Sequence, residues 1–115
     1  MIKIKNTDIL GKIFLSRYHP LLIIIILEVE KKFDKVTITS PYRHGDKGVH
    51  GTDPCRGIDI KSWDFKKPEE VVDFVNGKFT YDPERVNKKC AILHDTSSGI
   101  HIHLQSHDNT VYNKG

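Results

Sequence analysis

Cys90-Ala91-Ile92-Leu93-His94-Asp95-Thr96-Ser97-Ser98-Gly99-Ile100-His101-Ile102-His103-Leu104-Gln105-Ser106 is the stretch that decides the fold. Residues 90–93 form a short apolar run, and residues 100–106 alternate apolar with polar, so each reads as a strand. Residues 95–99 (Asp-Thr-Ser-Ser-Gly) supply a tight turn between them, which makes the whole a β-hairpin. Successive side chains of a strand point to opposite faces. Ile100, Ile102 and Leu104 are therefore expected on the buried face, with His101 and His103 together on the other.

Two more strands lie upstream. Residues 57–62 (Gly-Ile-Asp-Ile-Lys-Ser) put Ile58 and Ile60 on one face and Asp59 on the other, and residues 35–40 (Lys-Val-Thr-Ile-Thr-Ser) alternate β-branched side chains. The loop between them, residues 41–56, holds three glycines, two prolines and both His44 and His50. Loops of that length in a small domain are functional or disordered. Residues 21–33 follow Pro20, and proline suits the first turn of a helix. Their four consecutive isoleucines favour strand on propensity. Length and the position of Pro20 favour helix, which is the reading adopted. Pro68-Glu69-Glu70 opens another helix with acids in its first turn. Its Val71, Val72, Phe74 and Val75 should face the core, and Gly77 should end it. Residues 6–18 carry Ile9, Leu10, Ile13 and Phe14 at the spacing of a short helix, and residues 80–89 read as a connector. The order predicts one α+β domain over residues 1–115, a small antiparallel sheet with helices packed on one face.

The chain has 115 residues and a formal charge of +3 with neutral histidines. That charge suits an acidic partner such as a bacterial wall. It is no nucleic-acid signature, because there is no arginine stripe and no basic block at either end. The two cysteines, Cys55 and Cys90, are too few for a disulfide framework. The apolar run of residues 21–27 is far short of the roughly 20 residues that span a bilayer, so no membrane span is expected. No secretory signal is evident, and the chain as encoded is expected to be cytoplasmic.

Two imidazoles on one strand face, a distant histidine and a short acid form the ligand set of a catalytic zinc, which takes three protein ligands and leaves a position for water. His50, Asp59 and one of the two strand histidines would coordinate the metal. The other strand histidine would stand beside the water as base or electrostatic stabiliser. Taken singly, each residue has a plainer reading. Asp59 alone fits the solvent face of an edge strand, and His50 alone fits a surface loop. His94 and His107 read as surface residues, and Trp63 and Phe65 as core or cleft wall.

Ser40-Pro41-Tyr42-Arg43, Val49-His50-Gly51-Thr52, Arg56-Gly57-Ile58-Asp59-Ile60 and His101-Ile102-His103, in that order, resemble the Hedgehog/D-Ala-D-Ala-peptidase fold family of zinc peptidases. The resemblance runs from about Ser16 to Gln105. It implies a zinc-dependent hydrolase of peptide bonds in peptidoglycan, of D,D-carboxypeptidase or endopeptidase type, and suggests a small phage endolysin that reaches the wall after release. Residue by residue, it makes His50, Asp59 and His103 the zinc ligands and His101 the catalytic histidine. Arg43 would neutralise substrate carboxylate or developing oxyanion charge, work suited to a forked guanidinium. Eight residues separate His50 from Asp59, a longer gap than the family pattern, and Asp53-Pro54-Cys55 fall inside it. The longer gap opens His44 and Asp53 as substitute ligands, and Cys55 as a neighbour of the metal. A non-catalytic metal-binding structural or binding module of a phage or wall complex is the alternative. A metal-dependent nuclease ranks last, for want of a basic surface.

Overall fold

The structure is a computed structural model that describes residues 1–14, 16–41, 46–96 and 99–113. The isoleucine run is helical. Helix α2 (Pro20–Phe33) turns Leu22, Ile25, Ile26 and Val29 into the core at i, i+3, i+4 and i+7, and leaves Ile23, Ile24 and Leu27 exposed. Asp34 stops it in the left-handed conformation at φ 71°, with its N–H donated to the Glu30 carbonyl at 2.8 Å. The chain then enters strand β2 (Val36–Ser40). Ahead of α2 lie β1 (Ile2–Ile4) and helix α1 (Thr7–Phe14). After β2 come β3 (Gly57–Lys61), helix α3 (Pro68–Lys78), β4 (Phe79–Thr80), β5 (Ala91–Thr96), β6 (Gly99–Gln105) and β7 (Val111–Tyr112).

The main sheet has the order β1-β2-β3-β6-β5, and every pairing but β1 with β2 is antiparallel. Helix α2 packs against β2 and β6, and α3 against β5, so the α+β expectation of helices on a small, mostly antiparallel sheet holds. One cluster of buried side chains joins these helices to the sheet, from Leu22 and Ile25 through Ile58, Ile60, Ile102 and Leu104 to Val71 and Val75. Val72 and Phe74 pack partly buried against it. The hairpin register sets Ile92 opposite His103 and His94 opposite His101.

Several expectations need correction. Helix α3 runs through Gly77 to Lys78, because the chain passes directly into β4 and no turn is required at the glycine. Residues 80–89 are not all connector, since Thr80 belongs to β4, which pairs with β7 in a second, two-stranded sheet. Asp95 and Thr96 belong to β5 and Gly99 to β6, where the turn was expected to hold all three; Ser97 and Ser98 lie outside the described residues. Ile100 is 50% exposed rather than buried, because it sits at the hairpin end beyond the cover of the helices. Strand β1 was not anticipated. Its three residues are too few to show a period, and pairing beside Val36–Ser40 is what makes them a strand. Among the described residues no helix is long and apolar enough to cross a membrane.

Neither cysteine is in a disulfide, and both are buried. Burial pushes the Cys90 thiol up to about 12, against a hydrogen bond with Thr110 that acts the other way. Since the thiolate is the nucleophile, iodoacetamide at about pH 8 is expected to leave Cys90 unmodified in the folded chain and to label it once guanidinium unfolds the protein. Mass spectrometry of the Cys90 peptide reads the difference.

Candidate metal centre

Asp59 sits mid-strand in β3, opposite His103 on β6, on the sheet face away from α2 and α3. It is nevertheless only 7% exposed, because the 3-10 turn Val49–Gly51 folds over it and brings His50 with it. Glycines allow that approach. A Cβ at Gly57 would lie 2.3 Å from Val49 Cγ2, and one at Gly51 would lie 1.8 Å from the Asp46 carbonyl oxygen. The turn is pinned by backbone bonds from Arg56 N–H to the Val49 carbonyl (3.1 Å) and from Cys55 N–H to the Arg17 carbonyl (2.8 Å).

His50, Asp59 and His103 therefore meet. His103 Nδ1 lies 2.9 Å and His50 Nε2 3.3 Å from the same Asp59 Oδ1, and the two ring centroids are 5.2 Å apart. The three ligand atoms all lie within 4.8 Å of one another, and the group could hold a metal ion.

The outer hydrogen bonds decide which way the rings present their lone pairs. His50 Nδ1 is 3.1 Å from the Pro41 carbonyl oxygen, which can only accept, so Nδ1 carries the proton and Nε2 turns a lone pair inward. Gln105 donates its amide to the Lys89 carbonyl at 2.7 Å, which leaves its Oε1 facing His103 Nε2 at 3.0 Å. His103 Nε2 thus carries the proton, and Nδ1 faces Asp59 bare. With both rings neutral, two imidazole lone pairs and a carboxylate oxygen converge, an arrangement that a cation stabilises; with no cation bound, a proton on each inward nitrogen makes the ring a donor to Asp59 instead. In that cation-free state burial pushes the Asp59 carboxyl up, but the hydrogen bonds it accepts from His103 and His50 outweigh burial and hold it well below the usual range.

Gln105 acts on the centre through His103. Gln105→Leu is expected to weaken metal binding about 10- to 100-fold, the usual loss for such an outer partner. A competition titration with a chromophoric chelator measures it.

The remaining candidates divide. His101 is half-buried on the same sheet face, one alternation along β6, with Nδ1 3.5 Å from Thr39 Oγ1, and stands outside the three-residue group. Arg43 and His44 lie outside the described residues. Asp53 is not a substitute ligand, for it is exposed and held by Arg17 at 3.1 and 3.2 Å. Cys55 does not approach the group, because its sulfur is aimed at the Gly57, His50 and Val49 carbonyls. The plain reading of Asp59 as a solvent-facing acid fails, since the loop over it was invisible to strand alternation.

A cavity of about 410 Å3 opens beside the group, lined by His50, His103, His94, Gln105 and Ile92. His94 is exposed, yet its ring lies 6.5 Å from that of His103, which cross-strand pairing alone could have suggested. His107 packs at 5.7 Å on Tyr81 instead. Gln105 and the Pro41 carbonyl were not foreseen as supports, because nothing in their local sequence marks them. A second histidine network was also missed. His19 touches Ser106 Oγ at 3.0 Å and Asp108 Oδ1 at 3.1 Å. Ser106 is fully buried, so the trio fastens the start of α2 to the segment after β6 and offers no accessible nucleophile.

Comparison with protein-family models, with curated proteins and with solved structures finds no match to this chain.

Proposed function

We propose that the protein is a zinc-dependent hydrolase of peptide bonds in peptidoglycan stem peptides or cross-links. The observation that carries the reading is the convergence of His50, Asp59 and His103 with both imidazole lone pairs turned inward beside an open cavity. Three nitrogen and oxygen ligands with room for one more suit a catalytic zinc better than a closed structural site. Bound there, zinc would supply a Lewis acid and a water whose pKa falls to about 7.

The chain's own residues supply the rest. Asp59 and the two ring nitrogens would hold the cation, with Pro41 and Gln105 fixing the tautomers. His101, one alternation along the same face and lining the neighbouring pocket with Lys61 and Thr39, would be the group to take a proton from the water and return it to the leaving amine. Arg43 is proposed to neutralise a substrate carboxylate. The substrate class rests on the ordered motifs from Ser40 to His103. On this reading the chain works on the wall after release from the cell.

Incubating zinc-loaded protein with purified wall and analysing the muropeptides by mass spectrometry tests the proposal. New peptide termini are expected with the wild type. His101→Ala should remove them while zinc content stays at the wild-type level. Wall left intact by the wild type would overturn the reading.

A second reading is a closed site with a structural metal, which would need a fourth ligand such as His94, whose ring lies 6.5 Å from that of His103, to turn inward. A cobalt-substituted sample whose visible spectrum does not respond to added azide would support that reading over the first.

A further inference from the structure

Lys3, Lys5, Lys35 and Lys61 line one pocket of about 480 Å3. They come from the start of the chain, from the residue before β2 and from the end of β3, and the sheet alone brings them together. Lys3 stands beside Thr37 in the parallel pairing, and Lys61 opposite His101 in the antiparallel one. Strand β2 lies between β1 and β3, so lysines flank the Thr37 and Thr39 hydroxyls from both sides across about 10 Å of sheet.

Lys35 is neutralised by Asp64 at 3.2 Å, whose side chain is 3% exposed. Lys61 lies 5.9 Å over the Trp63 ring. Lys3, Lys5 and Lys61 have no ion-pair partner among the described residues. Three uncompensated ammoniums around one concavity repel each other unless an anion joins them.

We infer that this pocket is a subsite for a polyvalent oxyanion, a phosphate or a cluster of carboxylates on a larger ligand. Lysines are point charges on flexible stems. They accept oxyanions of varied outline, where arginine would impose a fork. The Thr37 and Thr39 hydroxyls add neutral donors, and Trp63, 80% exposed, adds a flat wall for the uncharged part. The inference does not depend on metal at the His50, Asp59 and His103 group.

Trp63 is the one tryptophan of the chain, so its emission reports on this pocket alone. The full-length, metal-free protein is titrated with pyrophosphate, with tricarballylate and with sodium chloride at matched ionic strength. A saturable change is expected with one or both polyvalent anions and none with chloride. Tighter pyrophosphate identifies a phosphate-bearing ligand, and tighter tricarballylate a carboxylate-bearing one. The Lys3→Gln/Lys5→Gln variant should raise the half-saturating concentration by about tenfold or more, the size of a lost charge-assisted contact. His103→Ala should leave it unchanged, which separates this subsite from the metal reading. Nitrogen-15 NMR shifts in the wild type should single out the Trp63 indole and the β1 amides. Absence of saturation, an equal response to chloride, an unmoved half-saturation in the lysine variant, or its loss in His103→Ala would each overturn the inference.

Discussion

His103→Ala is expected to lower zinc affinity by more than about a hundredfold, beyond the usual loss for an outer-sphere partner. Hydrolysis of wall peptides should fall to background with it. The ring contributes the shorter of the two contacts to Asp59 Oδ1, and no neighbouring imidazole replaces its nitrogen, since His101 lies one alternation away and His94 one strand away. Atomic absorption on dialysed protein gives zinc content, and the muropeptide assay gives activity. The variant should stay folded, because His103 lies on the sheet face opposite Ile102 and Leu104, which hold the core. A variant with wild-type zinc content would show that the metal, if any, binds elsewhere.

Asp59→Ala carries the second large effect, on stability as well as on binding. In the metal-free protein the buried carboxylate is the shared acceptor for His50 and His103, and leaving buried donors without their acceptor costs about 1–3 kcal/mol. The pH dependence gives a separate signature. Asp59 is held below its ordinary carboxylate range in the folded protein, so its contribution is complete above the unfolded value of about 4. That contribution is lost as pH falls toward the folded value. Denaturant midpoints of the metal-free wild type should therefore drop between about pH 5 and pH 3, and those of Asp59→Ala should drop less over the same interval. Parallel curves would mean that the carboxylate is not held as the geometry indicates.

The sheet arrangement was legible wherever local pattern and final environment agree. The turn chemistry of Ser97-Ser98-Gly99 and the alternation of residues 100–106 give the hairpin, and Pro20 with the length of residues 21–33 outweighs isoleucine's strand preference. Local pattern failed where partners are remote. Ile2-Lys3-Ile4 becomes a strand because Val36-Thr37-Ile38 lies alongside. Ile100 has the apolar character of a core residue but sits past the reach of the helices.

The metal group shows the same division. His50, Asp59 and His103 could be picked out by residue type and order. The choice between His101 and His103 could not be made from alternation, because both share a face. Asp59 on the facing strand makes it, by standing opposite His103. Asp53 stood as a possible substitute for Asp59, and the loop turns it outward to Arg17.

Sequence alone determined the α+β class, the strand carrying two histidines on one face, and the set of side chains able to bind a cation. Tertiary structure decided which of them meet, how Pro41 and Gln105 orient the rings, and that lysines scattered from residue 3 to residue 61 share one pocket. The reason is range: a strand's alternation reaches two residues, whereas ligand geometry and electric field depend on atoms that only the folded chain brings within a few ångströms.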